Sequence, residues 1–134
     1  MHEKMRAVKF LMLLFLFVTP VVKAQSPASV LENRLCKTWK LERMEQGSKV
    51  TTADKALNDF VMIINDDHTI KQGINPDGLI SGKWSIDEKT MMLSIHDDTT
   101  GQEYKMKVTT VTQNELVLED TASNPVLYIH YLAK

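Results

Sequence analysis

The sequence predicts an all-β protein: an eight-stranded antiparallel up-and-down barrel preceded by a short N-terminal helix. Three observations predict it. Eight short runs of alternating or continuous apolar residues follow one another from Thr38 to Lys134, each taking about 12 residues with its turn, the spacing of a sandwich or barrel. Their connections are of hairpin length and no long helix lies between them, which excludes parallel crossovers. Two tryptophans stand at matching places in strands, one in Leu35-Cys36-Lys37-Thr38-Trp39-Lys40-Leu41 and one in Gly82-Lys83-Trp84. A small residue two places before a tryptophan lets backbones approach closely and plants a large ring in the core. Closing eight strands into a barrel removes free edges and leaves room for side chains or one small ligand.

The elements follow in order. Ser26 and Pro27 signal a helix start, and Val30, Leu31 and Leu35 recur at one-turn spacing, predicting a short helix over Pro27 to Leu35 that flanks one barrel end. Thr38 to Glu45 alternates, with Trp39 and Leu41 on one face. Gln46 to Asn58 is polar and Thr-rich; it reads as the longest irregular connection, with one helical turn at Ala53 to Leu57 and a position suited to a lid. Phe60 to Ile64 is apolar on both faces, and Asn65-Asp66-Asp67-His68 turns the chain because Asn and Asp bond their own backbone. Thr69 to Gly73 is a short strand, Asn75-Pro76-Asp77-Gly78 a second turn, and Ile80 to Ile86 the strand that holds Trp84. Met91 to His96 follows, then Glu103 to Val111, the cleanest alternation, with Tyr104, Met106 and Val108 sharing a face. Glu115 to Glu119 and Val126 to Leu132 complete the set. On the last strand, either Tyr128 and His130 or the more apolar Leu127, Ile129 and Tyr131 face inward.

The first 24 residues read as a secretory signal peptide outside the domain. Lys4, Arg6 and Lys9 precede an apolar run from Phe10 to Val18, and Val22-Lys23-Ala24 offers small residues for cleavage. Phe10 to Val22 is too short to span a bilayer, which takes about 20 residues. The barrel domain is then 25–134, exported to a periplasmic or extracellular compartment with no transmembrane segment after signal cleavage. Without the leader, 12 basic and 16 acidic residues remain, a net charge of about −4. That balance, with no basic cluster among aromatics, excludes nucleic acid as a partner. Cys36 is the single cysteine. No internal disulfide staples the fold, and Cys36 itself reads as a small half-buried hydrophobe.

The arrangement resembles the secreted bacterial lipocalin-like family. The family's Leu-x-Gly-x-Trp pattern is matched by Leu35, Thr38 and Trp39, with Lys37 where the first glycine usually sits. Gly82-Lys83-Trp84 and the Thr-x-x-x-Leu-x-Leu run of Thr112, Leu116 and Leu118 are similar too, and the likeness covers Leu35 to Lys134. It implies the barrel and suggests binding, because such barrels share a fold and differ in ligand.

Catalytic patterns are missing from the sequence: there is no Gly-x-Ser-x-Gly elbow and no phosphate-binding loop. His68 beside Asp66-Asp67 and His96 beside Asp97-Asp98 have the look of metal ligands, but read as solvated turns. No metal, cofactor or catalytic residue is predicted, and oligomeric state leaves no mark. The expected function is a non-enzymatic carrier of a small hydrophobic ligand in the lumen. Trp39, Met62, Trp84, Tyr104 and Met106 are the candidate ligand-binding residues, joined by Tyr128 and His130 if their face is interior. The alternative is an interaction or structural module of the cell envelope, its lumen filled by side chains, with an outer apolar patch such as Val61 and Ile63.

Overall fold

The computed structural model describes residues 29–54, 57–74 and 77–134. The leader expected over residues 1–24 lies outside them, as do Pro27 and Pro76. One helix, α1 (Val30–Leu35), precedes nine strands: β1 (Thr38–Gln46), β2 (Lys49–Thr52), β3 (Phe60–Ile64), β4 (Thr69–Ile74), β5 (Gly78–Asp87), β6 (Met92–Asp97), β7 (Glu103–Val111), β8 (Glu115–Asp120) and β9 (Leu127–Ala133). The helix begins at Val30 because the Ser29 hydroxyl accepts the Glu32 N–H at 3.0 Å and caps it. Glu32 in the first turn and Arg34 in the last complement the helix dipole. Half-buried Cys36 ends it and packs against the core.

Every neighbouring pair of strands is antiparallel. β1 and β3 to β9 form one continuous sheet, and β9 returns to β1, so eight strands close the expected barrel. β2 is a ninth strand, and it corrects the sequence reading of Gln46 to Asn58 as irregular. It pairs with the second half of β1, Arg43–Gln46 against Lys49–Thr52, while β3 pairs with the first half, Thr38–Lys40. Gly47 and Ser48 make the two-residue turn, with Gly47 at φ 61, as a type II′ hairpin requires.

The turns fall into two sets. α1 and the β3–β4, β5–β6 and β7–β8 turns gather at one end; the β1–β2, β2–β3, β4–β5, β6–β7 and β8–β9 connections gather at the other. The core at the α1 end is filled, and a cleft of about 540 Å³ against Val30, Arg34, Lys37, Val111 and Gln113 separates the helix from the β7–β8 turn. Leu35, Trp39, Met62, Leu93, Leu116 and Leu118 have no exposed surface there or just above, and each such side chain contributes about 1.5–3 kcal/mol by leaving water. Both indoles are anchored: Trp39 Nε1 donates to the Leu35 carbonyl at 2.9 Å and Trp84 Nε1 to the Asn65 carbonyl at 2.8 Å. The His68 ring stacks on Trp84 with centroids 4.8 Å apart, and its Nε2 lies 3.8 Å from Glu32 Oε1, which brings the β3–β4 turn against the helix. The Lys37 ammonium sits 5.7 Å from the Trp39 ring centre and donates to the Gln113 carbonyl at 2.7 Å. The close approach expected at Gly82 is present, since a Cβ there would collide with the His96 carbonyl oxygen.

Two bulges set which side chains point inward. Register shifts between Leu41 and Arg43 and between Val108 and Thr110 leave Glu42 and Thr109 as the extra residues. Leu41 and Met44 therefore share the inner face, as do Val108 and Val111. β9 presents Ile129, Tyr131 and Ala133 to the core. The outer patch weighed at Val61 and Ile63 does not form, because Val61 is only 2 % exposed.

Candidate functional site: a cup at the open end of the barrel

Residues opposite one another in a ladder share a face, so the register carries the inward face past the packed core to the open end. Ile70, Gln72 and Ile74 follow one another inward on β4, opposite Gly82, Ile80 and Gly78 of β5. Tyr104 stands opposite buried Ile95, and Met106 opposite buried Leu93. At the α1 end such positions are dry. At the open end they are not: Ile74 is 39 % exposed, Ile80 47 % and Tyr104 42 %. Large apolar side chains on the inward face, yet accessible, mark this end of the barrel as the candidate cup.

The rim is notched on both sides of β9. β7 runs on past the end of β8, and between them opens a cleft of about 400 Å³ walled by Tyr104, Met106, Ile129 and Ala122, with Glu103, Lys105 and Asp120 as its charged residues. A smaller one of about 200 Å³ lies between β9 and the β1–β2 hairpin, against Met44, Gln46, Lys49, Thr51 and Leu127. The hairpin is pinned beside it by Gln46 Nε2, which donates to the Pro125 carbonyl at 2.9 Å. The Tyr104 hydroxyl donates to Gln102 Oε1 at 2.7 Å and so sits at the water boundary.

Polar groups around the cup are largely held by their own loops. Asp97, on the inward face of β6 and 8 % exposed, accepts the Thr99 and Thr100 backbone N–H groups with Oδ1 at 2.8 and 3.2 Å. Those bonds hold its carboxyl below the usual aspartate range. Asp120 accepts the Ala122 N–H and the Ser123 hydroxyl.

The sequence-predicted residues separate into three groups. Tyr104 and Met106 meet in the larger cleft. Trp39, Met62 and Trp84 lie in the packed interior, 0–3 % exposed, and serve as floor and plug rather than accessible wall. Tyr128 and His130 stand on the outer face, a correction to their candidate role in the lumen. Their register opposite Glu45 and Arg43, with Tyr131 buried between β1 and β8, turns them outward. There His130 Nε2 lies 3.6 Å from Glu45 Oε1 and Nδ1 4.0 Å from Glu115 Oε1. Ile74 and Ile80 belong to the cup and were missed; their exposure depends on how far β4 and β5 extend, which alternation alone does not report. Among the described residues, no His, Cys, Asp or Glu cluster is placed to hold a metal ion.

Comparison with known proteins agrees with this architecture. The lipocalin-like domain family matches residues 35–118. No curated protein matches. Among solved structures, a lipocalin-like protein from Bacteroides uniformis is similar at TM-score 0.57 and 13% identity, covering 75% of this chain and 99% of its own. A DUF4847 family protein from Bacteroides vulgatus is similar at TM-score 0.57 and 16% identity, covering 79% and 98%. At those identities the likeness is one of fold.

Proposed function

The chain belongs to the lipocalin-like domain family, and from that premise we propose that it is an exported barrel that binds a small apolar ligand in its open-end cup. One observation carries the reading. Inward-facing Ile74, Ile80 and Tyr104 are accessible at one end of a barrel whose interior toward the other end is a buried core. Exposed apolar surface in a concave site gains by taking an apolar guest out of water. The packed floor of Trp39, Met62 and Trp84 makes the cup shallow, so the ligand is short or flat rather than threaded through the lumen. The protein is a binder rather than an enzyme on this reading, in keeping with its family and with a sequence lacking nucleophile and phosphate-loop patterns. The leader pattern of residues 1–24 supports export.

The test is titration with a neutral naphthylamine dye whose own emission reports an apolar site. Both tryptophans lie near the opposite end, so their fluorescence is a poor reporter. Wild-type protein should bind the dye, and Ile80→Lys, at an exposed position that leaves the core intact, should weaken binding by roughly tenfold or more, the equivalent of about 1.4 kcal/mol. A dye affinity unchanged by Ile80→Lys and by Tyr104→Ser would remove the cup as the site.

A second reading, the interaction module, draws on the outer face of β9. Tyr128 and Leu132 are 37 % and 44 % exposed there. If the dye fails to bind, and substitution of Tyr128 and Leu132 by Ser releases a co-purifying protein, the module takes precedence.

A further inference from the structure

We propose that the cup selects its guests by charge, favouring amphiphiles with a cationic head over anionic ones with the same apolar body. This rests on the open end being a binding cup. The inward positions below the rim are mostly apolar, Met44, Ile70, Ile95, Met106 and Ile129, with Gln72 among them and the Asp97 carboxylate bonded into its own loop. A charged head must therefore stay at the rim, where its hydration is kept, while the tail enters.

The rim is one-sided in charge. Strand ends and connections there bring Asp59, Asp77, Asp97, Asp98, Glu103 and Asp120 round the mouth, against Lys49 and Lys105. None of these acids is in an ion pair among the described residues; the pairs formed involve Arg43, His68 and His130 elsewhere. Lys40, Lys71, Lys83 and Lys107 lie at mid-strand positions, on the walls. Asp97 and Asp120 are fixed by loop hydrogen bonds, so they cannot swing away from an arriving anion. A concave mouth with low-dielectric walls focuses such a field, which acts on a head group at the rim over a Debye length of about 8–10 Å. Among the described residues an anionic head finds one lysine in each cleft, Lys105 and Lys49, outnumbered by these acids.

The measurement is displacement of the bound neutral dye by two amphiphiles with one tail, dodecyltrimethylammonium and dodecanoate, both below their micelle concentrations. At low salt the cationic compound should displace at a concentration roughly tenfold lower, and the ratio should shrink toward one at about 0.5 M NaCl. The double variant Asp77→Lys/Asp98→Lys alters two exposed rim acids outside both clefts. It should narrow or reverse the ratio while the neutral dye binds as before. Equal or preferred displacement by dodecanoate at low salt overturns the selectivity and leaves the cup standing, as does a ratio that the double variant does not move. A dye that does not bind at all overturns the cup, and the selectivity falls with it.

Discussion

Trp39 and Trp84 show how much a single residue decides here. Each ring is buried, and each indole N–H, which would be costly unpaired, is spent on a main-chain carbonyl at the α1 end. Replacing either with Ala should cost about 3–5 kcal/mol in chemical denaturation, the usual range for buried aromatic truncation. Phe at the same position keeps most of the volume and loses the hydrogen bond, so it should cost less than Ala. A loss below about 1 kcal/mol for Trp→Ala would place that ring at the surface. The structural role of both tryptophans was legible in the sequence because a large ring in an alternating strand, with Gly82 two places before Trp84 and Leu41 on the face of Trp39, has few other uses. The side on which Tyr128 and His130 fall was not, since two adjacent faces of similar polarity differ only through a register that no single strand encodes.

At the scale of elements, each β-hairpin depends on its connection, and the β6–β7 turn is the most tightly wired. The Asp97 carboxylate accepts two backbone N–H groups, and the Asp97 backbone exchanges bonds with Gly101 and Gln102. Its folded carboxyl titrates below the ordinary value of 3.8. The stability it contributes is therefore fully present above that value and is lost as pH falls through the depressed one. Asp97→Ala should lower the unfolding midpoint at neutral pH and flatten its decline in acid, so that variant and wild type converge in strongly acid solution. Parallel curves at all pH values would show that the carboxylate has no differential role. Eight strands were readable because each pairs a buried face with turn residues at its end. β2 was not: Lys49, Val50, Thr51 and Thr52 are all exposed, so no hydrophobic period marks them. The signal that could have found it was Gly47-Ser48 at two-residue hairpin spacing. The bulge at Glu42 was equally hidden, because a bulge is a property of two strands.

For the whole molecule, the leader and the barrel divide the chain at Ala24 and Gln25 on the export reading. Intact mass of the exported form should correspond to a start at Gln25, and a species still carrying residues 1–24 would end that reading. The cup, too, belongs to this scale. Tyr104 and Met106 could be picked from one strand's alternation, whereas Ile74 and Ile80 emerge only when the strands are set side by side and their overhang leaves the rim open.

The seam that completes the ring joins the first barrel strand to the last. β1 pairs with β9 from Trp39–Ala133 to Gln46–Leu127, and the Lys134 N–H donates to the Thr38 carbonyl at 3.0 Å. A chain made from its N-terminus carries β1, with the large ring of Trp39, from early in synthesis. It has no partner on that edge until Ala133 has left the ribosome. Contacts so distant along the chain are the slow ones to form. Until then the sheet has two open edges and an uncovered apolar face, the state in which β-proteins associate wrongly. Closure therefore waits for the last of the nine strands, and until β9 is in place the unfinished sheet keeps its edges open.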